Sequence, residues 1–271
     1  MSISEWSFNA ARIPHSFATG ALRLGALQSA QTIGLYTRLF MSFTWRNDGE
    51  LFELMRSKLF TAVVGDVLDA LGYLHQFLPP RIRPINPRMV VAGRAMPVLE
   101  ADYYNSPGER GNSPLGAQPF GLMLQALDDL KPGEVYVATG GTPRYALWGE
   151  LMSTRAQRLG AAGAVMNGYS RDTHGILQLG FATFSHGCYA QDQGPRGKVV
   201  DFRVQIEIEG VRIRPGDVIF GDIDGVLAIP REAEQEVITR ALEKAGKENL
   251  VREAIRAGMP TVEAFEKFGV M

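Results

Sequence analysis

The sequence predicts a single mixed α/β domain, and three observations carry that reading. Apolar strand-like runs and amphipathic helices alternate through the central third, which implies parallel strands joined by crossover helices. Beyond residue 199 the pattern changes to closely spaced β segments with turn residues between them. No internal repeat and no Ser/Gly linker divides the chain.

The elements follow in order. Asp48-Gly49-Glu50 opens a helix with Leu51, Phe52, Leu54, Met55 and Leu59 on one broad face. Thr61 is the expected cap of a second helix through Val63, Val64, Val67, Leu68 and Leu71, which Gly72 stops. Pro79 to Pro87 is an extended connector. Val90-Val91 and Ala95 to Leu99 form strand, with Gly93 as a bulge. Asn105 to Pro119, rich in Gly, Pro, Ser and Asn, is a long surface loop. Leu122 to Leu130 is helical, Lys131-Pro132-Gly133 turns, and Glu134 to Ala138 is a strand. Trp148, Met152, Ala156 and Leu159 recur at helical spacing before Gly160. Gly163 to Met166 is the next strand, then a short helix through Ile176 and Leu179, then strand Phe181 to Phe184. Val199 to Ile208 forms one long alternating strand, ended by the Glu209-Gly210 turn. Asp217 to Phe220 and Gly225 to Ile229 follow as strands. Pro230 opens a helix that Leu250, Val251, Ala254 and Ile255 carry past Gly246, and Thr261 to Phe268 is the last helix.

Composition narrows the function. In 271 residues, 28 Lys+Arg balance 29 Asp+Glu for a net charge of -1. That leaves no cationic field for nucleic acid. One cysteine excludes a disulfide framework within the chain and any Cys-rich zinc module. No apolar run reaches the roughly 18 residues of a spanning helix, so no membrane partner is expected; a cytoplasmic location is a further expectation. Residues 1–40 carry Arg12, Arg23 and Arg38, one acid (Glu5) and no lysine. They resemble a transit peptide, although Met41 as the natural start is the favoured expectation. The expected divisions are 1–40 as leader or mis-assigned extension, 41–230 as the main domain, and 231–271 as a helical segment packed on it or on a neighbouring subunit.

Chemistry concentrates in two stretches, Gly149-Glu150-Leu151-Met152 and Arg171-Asp172. Each follows an expected strand on one sheet edge, where functional loops gather. A helix start at Gly149 to Met152 offers unpaired N–H groups to a carboxylate. Arg171 can grip the same anion with its fork. Asp172 suits Mg²⁺, which takes one or two carboxylates plus waters and substrate oxygens. Glu150 can hold a metal-bound water or act as general base. A surface salt bridge explains an adjacent Arg-Asp pair at least equally well on spacing alone.

Five stretches tip that balance. They are Thr61 to Gly72, Trp148-Gly-Glu-Leu-Met152, Gly160 to Gly168, Arg171-Asp172 and Pro215 to Pro230. In this order and spacing the chain resembles the family of regulator-of-ribonuclease-activity-A-like proteins. That family includes the 4-hydroxy-4-methyl-2-oxoglutarate/4-carboxy-4-hydroxy-2-oxoadipate aldolases. The resemblance implies a layered ββα-type, swivelling-domain-like core, a homotrimer or homohexamer, and a divalent cation, Mg²⁺ or Mn²⁺, anchored by Asp172. It further implies that Arg171 stabilises a pyruvate enolate while the Leu151 and Met152 N–H groups hold the carboxylate of a small oxo-acid substrate. Oxaloacetate decarboxylation through the same enolate is a companion expectation. The family's aldolases usually carry Asp, then 20 residues, then Arg-Asp; here Glu150 stands in the first position. The ribonuclease-inhibiting branch generally lacks that acid, and a non-catalytic regulator is the alternative.

Other candidates read as structural. The six lysines (58, 131, 198, 244, 247 and 267) lie on amphipathic helices or in turns and are expected to be solvated, which disfavours a Schiff-base aldolase. Cys188 is expected as a buried thiol, His174 as a surface residue, Trp148 as core, and Asp222-Ile-Asp224-Gly225 as a turn. Glu248 and Glu253 are expected as solvated helix charges, although either could serve an adjacent subunit's site.

Overall fold

Asn47 starts the first helix, accepting the Glu50 N–H on its side-chain oxygen in a computed structural model that describes residues 44–104 and 112–270. The expectations for residues 1–40 and for the first part of the 105–119 loop lie outside the described residues. Helix α1 (Asp48–Lys58) buries Leu51, Phe52 and Met55. Helix α2 (Thr61–Ala70) is capped otherwise than expected: Thr61 is its first residue, and Phe60 holds the cap position without a side-chain bond. The Thr61 N–H and hydroxyl both donate to the buried Asp222 carboxylate, each at 2.7 Å. A distant acid thus satisfies the first of the helix's open N–H donors, and the Asp222 turn is structural.

The main sheet has the order β1 (Arg83–Pro84), β7 (Thr183–Ser185), β5 (Gly163–Met166), β3 (Glu134–Thr139), β2 (Val91–Asp102), β11 (Val218–Asp222), β12 (Gly225–Ile229), with β8 (Gly197–Phe202) also on β2. Strands β2, β3, β5 and β7 are parallel. Their crossovers carry α3 (Met123–Asp128), α4 (Glu150–Arg158) and α5 (Thr173–Leu179). The alternation read from the sequence is therefore the architecture.

Strand β2 runs 12 residues without the expected bulge at Gly93. Gly93 pairs with Ile219, and a Cβ there would lie 2.4 Å from the Gly133 carbonyl oxygen. Close backbone approach is what requires glycine here. The register shift sits instead at Leu99/Glu100, against β8. One edge of β2 pairs first with β11 and then with β8.

The expected long strand from Val199 breaks at Arg203, which has φ +56°. Its guanidinium donates to the Glu134 carboxylate at 2.7 and 2.9 Å and to the Asp129 carbonyl at 2.9 Å. The chain turns to make those bonds. β9 (Ile206–Ile208) then pairs with β10 (Val211–Ile213) as a separate hairpin around Glu209-Gly210. Pro230 does not open the next helix: a turn closed by Ala233 N–H to Pro230 O comes first. Helix α6 (Glu234–Arg256) then runs 23 residues through Gly246, and α7 (Thr261–Phe268) follows.

Apolar burial divides by sheet face. Leu51, Met55, Val64, Leu68, Val237 and Ile238 join α1, α2 and α6 over β11 and β12. Met96, Val98, Tyr136, Trp148, Ala156 and Ile176 join α4 and α5 to the other strands. Ile82, Val91, Val137, Val165 and Phe184 fill the opposite face with β9 and β10. Among the described residues no helix is long and apolar enough to cross a membrane.

Candidate active site

The site begins with a small parallel pair. Strand β4 (Ala146–Trp148) pairs with β6 (Tyr169–Ser170), Trp148 opposite Ser170. The Arg171 N–H then donates to the Trp148 carbonyl at 2.8 Å. Parallel strands end side by side, so Gly149-Glu150 and Arg171-Asp172 leave the pair together although 20 residues lie between Glu150 and Arg171. The two stretches meet through this small pair rather than directly at the main sheet edge. Trp148 belongs to β4 and not to the helix suggested by its spacing; it is buried, as expected. Its indole N–H donates to the Ser153 hydroxyl at 2.7 Å, which donates to the Gly149 carbonyl at 3.0 Å. These bonds fix the start of α4.

Gly149 is the cap residue of α4 and has no side chain to offer its first-turn N–H groups. That end therefore keeps the partial positive charge of a helix N-terminus open to an anion. A Cβ on Gly149 would lie 2.8 Å from Asp172 Oδ2 and 3.4 Å from Arg171 Cγ. Glycine is what lets the carboxylate and the helix start share one space. Asp172 is the cap residue of α5 and holds φ +55°, a left-handed conformation that Asp and Asn tolerate better than most residues.

A cleft of about 450 Å³ opens here, lined among others by Trp148, Gly149, Leu151, Met152, Arg171 and Asp172. Phe120, Met123 and Leu127 make its apolar wall. Arg171 lies between two carboxylates: Nη1 donates to Asp192 Oδ1 at 2.7 Å, and Nε stands 3.4 Å from Asp172 Oδ2. Asp192 and Gln193 also line the cleft. The sequence reading missed both, because Gln191-Asp-Gln-Gly-Pro195 looks like any polar turn. The Ala146 N–H to Gln191 carbonyl bond, 2.8 Å, a contact no local pattern reports, brings that turn beside β4.

Glu150 is the residue whose placement departs most from expectation. It is exposed and does not line the cleft. Its carboxyl lies over Gly175 of α5, where a Cβ would come within 2.5 Å of Cδ. Leu151 is 80% exposed at the cleft mouth.

Two further expectations are corrected. Lys198 is buried, not solvated, at 1% exposure. Its ammonium donates to the carbonyls of Leu115, at 3.0 Å, Gly116, at 3.3 Å, and Gln118, and lies 4.9 Å from the Tyr103 ring centroid. Burial lowers its pKa. Three carbonyls engage all three ammonium protons, so this lysine is a brace for the 115–118 segment rather than a free amine. Cys188 is exposed, not buried, because the chain leaves the sheet after β7. His174 and Glu253 are exposed, as expected, whereas Glu248 is half-buried near Lys244.

The comparisons with known proteins agree with this frame. The model of the RraA-like family, described as Aldolase/RraA, matches residues 61–228. A protein of Halalkalibacterium halodurans named "Putative 4-hydroxy-4-methyl-2-oxoglutarate aldolase" is 31% identical over 207 residues, covering 76% of this chain and 89% of that one. A solved structure described as one of novel cellulases from microbes associated with the gut ecosystem is 30% identical, with TM-score 0.67, covering 76% of this chain and 88% of that one. Streptomyces coelicolor RraAS2, described as an unusual member of the RNase ES inhibitor RraA protein family, shares the fold at 22% identity, with TM-score 0.64 over 77% of this chain and 98% of that one. From the match over residues 61–228 and the order of elements that fills it, the chain belongs to the RraA-like family.

Proposed function

We propose that the protein is a divalent-metal-dependent lyase that cleaves a 4-hydroxy-2-oxo acid of the 4-hydroxy-4-methyl-2-oxoglutarate type to pyruvate and a second oxo acid. The observation that carries this reading is the β4–β6 pair, which sets Arg171-Asp172 against the uncapped start of α4. An anion-binding helix end, a guanidinium and a carboxylate in one cleft are the groups that an oxo-acid cleavage needs. Oxaloacetate decarboxylation uses the same enolate and belongs to the proposal. So do a cytoplasmic location and a homotrimer or homohexamer, both on the strength of the family.

The donor set fits Mg²⁺ or Mn²⁺. Among the described residues no three His, Cys, Asp or Glu side chains form a closed cage. Asp172 presents a half-exposed carboxylate to the cradle that a Cβ on Gly149 would fill. One carboxylate with waters and substrate oxygens is the usual Mg²⁺ arrangement. When bound there, the cation would polarise the substrate ketone as a Lewis acid.

The chain's own groups divide the remaining work. The Leu151 and Met152 N–H groups bind the substrate carboxylate. Arg171 donates to the C2 oxygen and becomes a stronger partner as that oxygen gains charge. The C4 hydroxyl loses its proton, the C3–C4 bond breaks, and its electron pair becomes the enolate of pyruvate. Protonation at C3 then gives pyruvate. The hydroxyl proton goes to water in the cleft, and Glu150, exposed outside the cleft lining, is the carboxylate assigned to receive it from that water. A neutral glycan, the substrate that a cellulase would take, has no charge for Arg171 and the helix start to meet.

The test is a panel of 4-hydroxy-2-oxo acids with Mg²⁺, followed by pyruvate release. Turnover that stops with EDTA and returns with Mg²⁺ or Mn²⁺ is expected. No turnover across the panel, or turnover indifferent to EDTA, overturns the proposal; the first outcome favours a non-catalytic protein-binding regulator.

A further inference from the structure

Behind the cleft, two buried polar atoms have no hydrogen-bond partner among the described residues: Glu100 Oε1 and the Tyr136 hydroxyl. Glu100 is 2% exposed and Tyr136 fully buried. Alternation along β2 puts Glu100 on the face of Met96 and Val98, and Met96 pairs with Tyr136 on β3. The other Glu100 oxygen, Oε2, accepts from Gln193 Nε2 at 2.8 Å. Gln193, itself buried, lines the cleft, and its neighbour Asp192 accepts from Arg171. Glu100, Gln193, Asp192 and Arg171 thus form a connected series from the sheet to the cleft.

We propose that Glu100 is a positioning residue, which pins Gln193 and so holds Asp192 in place beneath the Arg171 guanidinium. For its kinetic consequence alone, this rests on reading the cleft as the oxo-acid site. Burial pushes the Glu100 carboxyl up to about 8. Among the described residues, the groups facing it supply no free cation. Tyr136 on β3 has its pKa raised by burial and then by Glu100, and Tyr145 before β4 by burial, then by Asp102, and less by Glu100. Asp102, two residues along β2, accepts from the Tyr145 hydroxyl at 2.9 Å. Lys198 on β8 spends its protons on the 115–118 carbonyls. A neutral carboxyl is the form that burial favours here; an ionised one draws in water or moves. Gln193 then loses its fixed partner.

The folded chain retains the Glu100 proton between about pH 4.5 and 8, where the unfolded chain has lost it. Stability from this group therefore falls as pH rises through that window and is level above it. Glu100→Gln removes the titration and keeps a neutral partner for Gln193.

The experiment is amide hydrogen exchange over residues 191–197, with thermal unfolding at pH 5 to 9, on wild type, Glu100→Gln, Glu100→Ala and Gln193→Ala. Glu100→Ala and Gln193→Ala should speed exchange of that segment by roughly tenfold. Glu100→Gln should restore near wild-type exchange at pH 7, and its midpoint should gain on wild type steadily from pH 5 to 8. In turnover, the wild-type rate should decline above pH 8 and the Glu100→Gln rate should not. Unchanged exchange in a folded Glu100→Ala overturns the proposal, as does a midpoint difference that is flat with pH. If Glu100→Ala does not fold, Gln193→Ala breaks the same bond and decides alone. Exchange and unfolding need no turnover, so a failed lyase assignment leaves this test standing.

Discussion

Asp172→Asn should cut metal-dependent pyruvate release on the order of 10³-fold, the several kcal/mol that a bound cation contributes to a developing oxyanion. Asparagine is the informative replacement because it tolerates the left-handed backbone at φ +55°, so the charge is removed and the turn is kept. Asp172→Ala should lose as much activity and add a small backbone cost. Neither should unfold the protein: the Arg171–Asp172 pair is 3.4 Å apart with side chains 35% and 43% exposed, and such surface pairs contribute about 0–1 kcal/mol. Titration calorimetry with Mn²⁺ should show the loss of binding, and circular dichroism the unchanged fold. Full activity in Asp172→Asn would exclude Asp172 as the metal anchor.

Arg171→Lys should lower kcat/KM by on the order of 10²-fold, as removal of an oxyanion donor does elsewhere. Lysine keeps the charge but not the planar fork that reaches Asp192 at 2.7 Å with one nitrogen while presenting others to the cleft. The loss should fall mostly on kcat, because the guanidinium gains most from the charge that builds during cleavage. Steady-state kinetics on the best substrate of the panel separate the two parameters. A loss confined to KM would make Arg171 a binding residue only.

Much of this architecture is legible in the sequence. The β2–α3–β3–α4–β5–α5–β7 succession is legible because short apolar runs, buried on both faces, alternate with amphipathic helical stretches. The failures have local physical causes. Arg203 breaks an alternating strand because Glu134 and Asp129, roughly 70 residues earlier, recruit its guanidinium. Thr61 forgoes its capping role because Asp222 supplies a better acceptor. Lys198 is buried because backbone carbonyls solvate it, which no local pattern reports. In the site, Gly149, Arg171 and Asp172 are legible through chain order, whereas Asp192, Gln193 and Glu100 are not. Their relevance comes only from tertiary contacts that bring a polar turn beside β4.

The central claim is that Arg171, Asp172 and the α4 start stabilise the enolate of pyruvate, whatever the leaving half of the substrate. The direct measurement is exchange of the pyruvate methyl protons in D₂O, followed by NMR with the protein and Mg²⁺. Wild type should accelerate that exchange well above the Mg²⁺ buffer rate, while EDTA and Asp172→Asn should return it to the buffer rate. Exchange no faster than buffer with metal-loaded wild type would contradict the enolate site itself.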